Sequence, residues 1–344
     1  MTSNLASGVF CVNGRYLVQR LTGVQRYARE IVSRWDSIPI LKPTVGGTGA
    51  AGHLWEQFRL PTLVRGLLWS PSTTGPLAVR NQVVTIHDTA FIDHADCYTR
   101  AFANWYQWLV PRLARRVRRI ITVSEFSKSR IVDYCRVPPE KVTVILSGVG
   151  PQFQPQSEEQ ILHARTILNL PQRYALCVCS LEPRKNLRRL LEAWNEMPDR
   201  PDDLYLVLAG AKGKIFESIG LESAPANVQL VGYVGDDLLP ALYSGAEFFA
   251  FPSLYEGFGL PLLEAMACGT PVLCSNLTSL PEVAGDAALL VDPLDTSSIA
   301  AGLQQLATDA SLRQQLRERG VVRAKSFNWD RTARQTWDLL TLES

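Results

Sequence analysis

An α/β protein built on parallel sheets is the fold class the sequence predicts, and two observations carry that prediction. Short apolar runs rich in β-branched residues alternate with longer segments of helical period, the pattern of strands joined by crossover helices. Polar residues and glycines gather after the carboxyl ends of those runs, where open parallel sheets bind ligands. In the first half the strand candidates are Gly8–Val12, Val83–Ile86, Ile120–Val123 and Val142–Leu146. In the second half they are Tyr174–Cys179, Leu204–Ala209, Val228–Val231, Glu247–Phe251, Pro271–Cys274 and Ala288–Val291.

The polar positions follow in order. His87 and Asp88 come after the second strand and Ser124 after the third. In the second half Glu182 to Lys185, Gly210 to Lys212, Gly232 with Tyr233, and Ser253 to Gly259 each follow a strand. Between the first two of these, Leu187, Leu190, Leu191 and Trp194 recur at helical spacing with Arg188 facing out, and Asn186 is placed to cap that helix.

A chain of 344 residues exceeds one typical core and favours two domains of roughly 150 residues. The stretch from Gly148 to Pro155, with two glycines and two prolines, stops regular structure and suits a linker, so the domains are expected at 1–150 and 151–328. Two binding edges facing each other would then make one deep interdomain site. The segment from Gly46 to Gly52 reads as a flexible surface loop.

Composition excludes several classes. With 46% hydrophobic and 20% charged residues the chain is an ordinary globular protein, and a net charge of +2 gives no global argument for nucleic-acid binding. Seven cysteines without zinc-like spacing read as buried thiols of a reducing compartment, with Cys177 and Cys179 as core. No signal-peptide pattern opens the chain and no apolar run approaches the ~18 residues that span a bilayer, so a cytoplasmic location is expected. No Asp-x-Asp stands at a strand end and no cluster has metal-ligand spacing, which favours metal-independent chemistry.

The most informative stretch is Glu256-Gly257-Phe258-Gly259-Leu260-Pro261-Leu262-Leu263-Glu264. Gly257 and Gly259 open a loop after a buried strand, Pro261 suits the first turn of a helix, and Gly269 ends it. Free amides and the positive dipole end at such a helix start hold phosphate. Glu264, one turn in, can accept hydrogen bonds from neutral hydroxyls such as a ribose diol, and Glu256 lies near the group beyond the phosphates. Taken singly, Glu264 could be a surface carboxylate at a favourable helix end and the glycines a plain turn.

With these residues the sequence resembles glycosyltransferase family 4, retaining enzymes of the GT-B fold whose hallmark is two glutamates in this spacing. Further family-like segments occur in order: Val84-Thr85-Ile86-His87-Asp88, Thr122-Val123-Ser124-Glu125-Phe126-Ser127, Ser180-Leu181-Glu182-Pro183-Arg184-Lys185-Asn186 and Gly232-Tyr233-Val234. The resemblance implies two Rossmann-like domains with parallel sheets facing across a cleft, the first on the acceptor side, the second binding the nucleotide sugar. A helix over 329–344, introduced by Phe327-Asn328-Trp329 and containing Trp337, would cross back to the first domain. Arg184 and Lys185 would neutralise a diphosphate and stabilise it as it departs. His87 would contact the transferred sugar, with Asp88 and Ser124 in support or at the acceptor. Gly232, Tyr233 and Leu254 would flank the base; Gly257, Phe258, Gly259 and Leu260 would line the phosphates. Gly23, in Leu21-Thr22-Gly23-Val24, resembles the family's glycine loop, although it departs from the commoner paired-glycine form.

The implied reaction moves a hexose, mannose favoured by likeness to bacterial mannosyltransferases, from a nucleoside diphosphate sugar such as GDP-mannose to a glycan or lipid-linked acceptor. The nucleotide sugar is a co-substrate, and no cofactor is expected. The segment from Tyr98 to Arg119 allows two readings. Its aromatics and arginines could lie on an anionic membrane surface at the inner face of the cytoplasmic membrane, or the aromatics could pack on the first sheet with the arginines solvated. No nucleic-acid motif accompanies them. A nucleotide-sugar epimerase, a phosphorylase or a non-catalytic sugar-nucleotide-binding protein on a similar scaffold are the alternatives, while a dehydrogenase lacks its Gly-x-Gly-x-x-Gly after the first strand.

Overall fold

A computed structural model describes residues 10–44, 47–178, 180, 182–210 and 227–344. The chain divides into two units, Met1–Gly148 with Asn328–Ser344, and Val149–Phe327. The first unit holds strands β1 (Phe10–Asn13), β2 (Ile40–Leu41), β3 (Leu67–Ser70), β4 (Gln82–Thr85), β5 (Arg119–Thr122) and β6 (Val142–Val144) in the order β2-β1-β3-β4-β5-β6. The second holds β7 (Arg173–Val178), β8 (Leu204–Ala209), β9 (Val228–Gly232), β10 (Phe248–Phe251), β11 (Val272–Ser275) and β12 (Ala288–Val291) in the order β12-β11-β10-β7-β8-β9. Every pair in both sheets is parallel. The predicted α/β class with parallel sheets is what the chain adopts.

Burial on both faces explains why the strands read as continuous apolar runs rather than alternating ones. In the second unit Leu187, Leu190, Leu191 and Trp194 of the helix Leu187–Glu196 form a core with Leu204, Leu206 and Leu208 of β8. Arg188 points outward and pairs with Glu192 at 2.8 Å. In the first unit Val110 and Leu113 of the helix Arg100–Arg116 pack with Val84, Ile120 and Ile131, and Phe102 and Tyr106 lean on the same core. Trp108 of that helix is 43% exposed, with the Arg112 guanidinium 4.6 Å over its ring, and Arg112, Arg115, Arg116 and Arg118 are exposed. Phe102 and Tyr106 therefore pack on the core, as one reading of this segment expects, and Trp108 and these four arginines lie on the surface. Among the described residues no helix is long and apolar enough to cross a membrane.

Two strands escaped the sequence reading. β2 is only two residues long, and β3, Leu-Leu-Trp-Ser, lacks β-branched residues. Gly49–Leu54 is helical rather than loop, and it continues into Trp55–Arg59 and Leu60–Leu63. Close packing explains that glycine-rich helix, because a Cβ on Gly52 would meet the Gly47 carbonyl oxygen at 2.3 Å and Arg15 Nε at 2.9 Å. Of the residues predicted in strands or strand ends, Gly8, Val9, Cys179, Leu181, Ala211 and Lys212 lie outside the described residues.

The helix Trp329–Glu343 packs on the first unit's helix Gly23–Val32. Trp337 meets Phe10 and Trp35 edge-on at centroid distances of 5.1 and 5.5 Å, and Arg34 Nε pairs with Asp330 at 2.6 Å. Where the chain leaves and re-enters this unit, a Cβ on Gly148 would lie 2.3 Å from Trp329 N and 2.7 Å from Asn328 C, both backbone atoms that cannot swing away. Gly148→Ala is expected to destabilise the protein by about 1–3 kcal/mol, read as a lower urea midpoint with an unchanged m-value.

Candidate active site

The second sheet changes direction between β7 and β10, with β8 and β9 on one side and β11 and β12 on the other. Loops leaving neighbouring strands diverge there and open a crevice at the carboxyl ends. The loop after β7 carries Glu182, Arg184, Lys185 and Asn186; the loop after β10 carries Leu254, Glu256, Gly257, Phe258 and Gly259. Sequence order keeps these two segments some seventy residues apart, and sheet order puts them side by side.

They meet in one ionic cluster. Lys185 Nζ lies 2.6 Å from Glu256 Oε1, and Arg184 Nη1 lies 3.3 Å from Glu256 Oε2. Arg184 also donates through Nε to Glu182 Oε2 at 2.5 Å, while Ser180 Oγ donates to Glu182 Oε1 at 2.7 Å. The Lys185 and Glu256 side chains are only 9% and 8% exposed. Lys185 Nζ additionally stands 5.2 Å over the Phe251 ring. Burial works to raise the Glu256 carboxyl, but the charges of Lys185 and Arg184 outweigh it and hold the group below its ordinary value. Glu182 shows the same balance, burial opposed by Arg184.

Backbone ties fix the cluster. Leu254 N–H donates to Arg184 O at 2.8 Å. Asn186, in the left-handed region at φ 59°, donates through Nδ2 to Pro252 O at 3.1 Å and Pro293 O at 2.7 Å. Its side chain makes no cap hydrogen bond to the helix it precedes, contrary to the expected cap. The two carbonyls of neighbouring loops capture the amide instead. Thr278 Oγ1 accepts from Glu256 N–H at 3.3 Å, and Ser279 Oγ donates to Glu256 O at 2.9 Å.

Gly259 stands before the helix Leu260–Ala267 at φ 98°, and a Cβ there would come 2.6 Å from Leu280 Cδ2, so both conformation and space require glycine. Glu264 is 8% exposed and accepts from the Tyr243 hydroxyl at 3.2 Å. Burial, reinforced by the Glu264 charge, pushes the Tyr243 phenol well above its ordinary range, so it stays a donor. Gly257 is buried; the Phe258 side chain is buried edge-on against Phe327 at 5.8 Å, leaving that residue only its backbone to offer a ligand. Leu254 and Leu260 are half-buried. Gly232 ends β9 at φ 70°, and Tyr233 beside it is 65% exposed.

In the first unit the predicted residues occupy several strand ends. His87 follows β4, is 8% exposed, and has Nε2 2.8 Å from Pro71 O. A carbonyl only accepts, so Nε2 carries the hydrogen and Nδ1 is an acceptor. Burial holds the imidazole below its ordinary pKa, and it meets Tyr27 edge-on at 4.8 Å. Asp88 Oδ1 accepts from Ala90 N at 3.0 Å. Ser124 is fully buried and caps the helix Glu125–Cys135, accepting from Ser127 N at 3.0 Å. Gly23 is exposed as the first residue of the helix Gly23–Val32. His94, Asp96 and Cys97 bring potential metal-ligand atoms within 4.8 Å of one another, a juxtaposition that sequence spacing had not suggested.

Two family models match the chain: Glycosyltransferase Family 4 over residues 38–153 and Glycosyl transferases group 1 over 158–323. The O-antigen chain mannosyltransferase B of Escherichia coli is 35% identical over 267 residues, covering 76% of this chain and 70% of that protein. The chain belongs to glycosyltransferase family 4. This family 4 glycosyltransferase is also 33% identical over 246 residues to the MMP alpha-(1->4)-mannosyltransferase of Mycolicibacterium hassiacum, covering 68% of this chain and 56% of that protein. It spans 30% of the length of the Escherichia coli serotype-specific mannosyltransferase WbdA, which it matches at 32% identity. Anabaena HepE, solved in complex with UDP and glucose, shares the fold at TM-score 0.74 and 17% identity over 94% of this chain and 96% of that one.

The sequence names Arg184, Lys185, Glu256 and Glu264 but not their supports, which are Glu182, Thr278 and Ser279 for the ionic cluster and Tyr243 for Glu264. Glu182 was visible beside Arg184; the others are brought in only by sheet packing. Glu256→Gln leaves Lys185 buried without its counterion and is expected to cost roughly 3 kcal/mol at pH 7. Because the folded-state carboxyl is held below its ordinary 4.5, its contribution is complete above that pH and disappears as pH falls through the folded value. The difference between wild type and variant in urea unfolding should therefore shrink in acid; a constant difference would reject the pair as its source.

Proposed function

We propose that this glycosyltransferase moves a hexose, with mannose from GDP-mannose the favoured donor, to a hydroxyl of a glycan or lipid-linked glycan with retention at the anomeric carbon and without a metal. The observation that carries the reading is the cluster of Arg184, Lys185 and Glu256 beside the Gly259-led helix start. Mannose is favoured by the activities named for the relatives at 32–35% identity. HepE's complex with UDP and glucose is a property of HepE, and UDP sugars belong in the same test.

In the proposed step the bond between the sugar C1 and the terminal phosphate oxygen breaks as a bond from C1 to the acceptor oxygen forms on the same face. The acceptor proton passes to the departing phosphate oxygen. Negative charge grows on the diphosphate, and Lys185 and Arg184 stabilise that growth more than they stabilise the bound donor. Lys185 uses one of its three N–H donors on Glu256, which leaves donors for phosphate. Glu264 accepts from the ribose diol, Glu256 contacts the donor sugar, and amides from Gly257 to Leu260 meet the phosphates. Gly23 is given to close backbone approach, Gly232, Tyr233 and Leu254 to the base. His87, with a lone pair at Nδ1, accepts from a sugar hydroxyl and moves no proton; Asp88 and Ser124 hold its surroundings. The exposed Trp108 and its neighbouring arginines support contact with an anionic membrane that carries a lipid-linked acceptor.

A donor panel scored by nucleotide release, with product NMR for the anomeric configuration, tests this reading. GDP-mannose should give the highest kcat/KM and a retained product. Lys185→Ala should lower kcat/KM by about 10²–10³-fold, and Glu264→Ala should act mainly on donor KM. An inverted product, or wild-type rates in both variants, would reject the assignment.

A further inference from the structure

The first sheet also changes direction, between β1 and β3, with β2 on one side and β4 to β6 on the other. None of the residues discussed so far explains what fills that point. Arg15 follows β1 and Thr74 follows β3; Glu56 and His53 reach in from the helical stretch between them. Arg15 Nη1 lies 3.1 Å from Glu56 Oε2, 3.2 Å from Thr74 Oγ1 and 3.1 Å from His53 Nδ1. Asn13 Nδ2 donates to the other Glu56 oxygen at 2.8 Å. Arg15 and Glu56 have side chains 6% and 1% exposed. Withdrawing two such ions from water costs several kcal/mol each before their attraction returns it, so this is an expensive arrangement at a position where open sheets bind ligands.

The network fixes one atom for a ligand. His53 Nδ1 accepts the Trp105 indole N–H at 3.1 Å and faces Arg15 Nη1 at the same distance, with Glu56 Oε2 farther off at 3.7 Å. Guanidinium and indole nitrogens only donate, so Nδ1 is the acceptor and the ring hydrogen sits on Nε2. Among the described residues that Nε2–H has no hydrogen-bond partner, and the side chain retains 17% of its exposure. Trp105 and Tyr106 stand edge-on to the ring at 5.5 and 5.9 Å, which fixes its plane as firmly as the hydrogen bonds do. The result is an oriented N–H donor on a partly exposed ring, walled by aromatic rings, over an ion pair whose charges cancel, whereas the unpaired Arg15 Nε is buried.

We propose that His53 is an acceptor-recognition residue, donating Nε2–H to a hydroxyl oxygen of the acceptor glycan, with Arg15, Glu56 and Trp105 as the residues that position it. The local charge decides the ligand class. A phosphate or carboxylate would meet Glu56 next to a guanidinium that Glu56 already neutralises, whereas a sugar hydroxyl needs only a well-placed neutral donor and tolerates aromatic walls. His53 is not a proton carrier in this scheme, because its Nδ1 has no free lone pair and its Nε2–H is used in binding. The inference rests on the glycosyl-transfer reading above.

Two substitutions separate binding from scaffolding, because asparagine and glutamine reproduce opposite ends of the imidazole. His53→Asn keeps an acceptor near Nδ1 for Arg15 and Trp105 but removes the outward donor. His53→Gln keeps a donor near Nε2 but deprives the network of its acceptor. With the full-length protein, mannotriose and maltotriose are offered as acceptors against the productive donor, and their direct binding is followed by saturation-transfer NMR without donor. His53→Asn should raise acceptor KM by about tenfold, the loss of one hydrogen bond, with kcat within twofold, the melting temperature unchanged and saturation transfer weakened. His53→Gln should melt at a lower temperature yet keep acceptor KM within about threefold. Wild-type acceptor KM in His53→Asn, equal increases in both variants, or absence of saturation transfer to either sugar in the wild type would overturn the proposal. Failure of the donor reading shows itself separately, as absence of nucleoside diphosphate binding by the wild type in calorimetry.

Discussion

The contact between Lys185 and Glu256 is the constraint around which the second unit is arranged. A lysine and a glutamate with less than a tenth of their side chains exposed have given up hydration worth several kcal/mol each, and only close, well-aligned contact recovers it. A shift of a few tenths of an ångström in either loop would leave two buried charges poorly matched. The surrounding hydrogen bonds answer that demand: Leu254 to Arg184 between the loop backbones, Asn186 to Pro252 and Pro293 across three loops, Thr278 and Ser279 on both sides of the Glu256 peptide. None is strong alone, yet together they leave the two loops one arrangement. The strand order beneath them does the rest, since β7 and β10 are neighbours.

Both sheets place a buried ion pair at the point where strand order reverses, and the pairs differ in what they leave available. In the second unit two cations face two carboxylates, Glu182 and Glu256, and among the described residues the lysine still has unused donors. In the proposed scheme an incoming diphosphate would compete with these carboxylates for the same cations, so donor affinity would be set by a difference between two ionic contacts rather than by a bare positive site. In the first unit Arg15 Nη1 is turned to Glu56, Thr74 and His53, and the His53 ring keeps its Nε2–H. On the proposed roles, one switch point exchanges anions and the other presents a neutral donor.

How much of this was legible follows from what each feature depends on. The inner strands of the second sheet announce themselves as apolar runs because burial on both faces selects such residues, and the motif from Glu256 to Glu264 is local, with its glycine, proline and carboxylate positions fixed by one helix turn. Asn186 misled because a residue preceding a helix has a local partner in the helix amides, and only the folded loops reveal two better-placed carbonyls. The network around Glu56 was invisible for a stronger reason. Its members, Asn13, Arg15, His53, Glu56 and Thr74, come from three separate stretches, and Glu56 on a helical segment looks like any solvated carboxylate until β1 and β3 are known to lie side by side. Gly52 likewise reads as loop until Arg15 is seen packed against the helix.

The two first-unit histidines show how the same side chain is given opposite chemistry by its fixed neighbour. Pro71 O occupies Nε2–H of His87, which leaves that ring an acceptor at Nδ1. Arg15 and Trp105 occupy Nδ1 of His53, which leaves that ring a donor at Nε2. In the proposed scheme the first meets the transferred sugar and the second the acceptor, so each ring offers a hydroxyl the polarity that its fixed neighbour leaves open. Neither proposed role asks the imidazole to change protonation, and burial holds the His87 imidazole below its ordinary pKa. Recognition by tautomer requires a neighbour that cannot reverse its own polarity, and a prolyl carbonyl, a guanidinium and an indole are three groups that cannot.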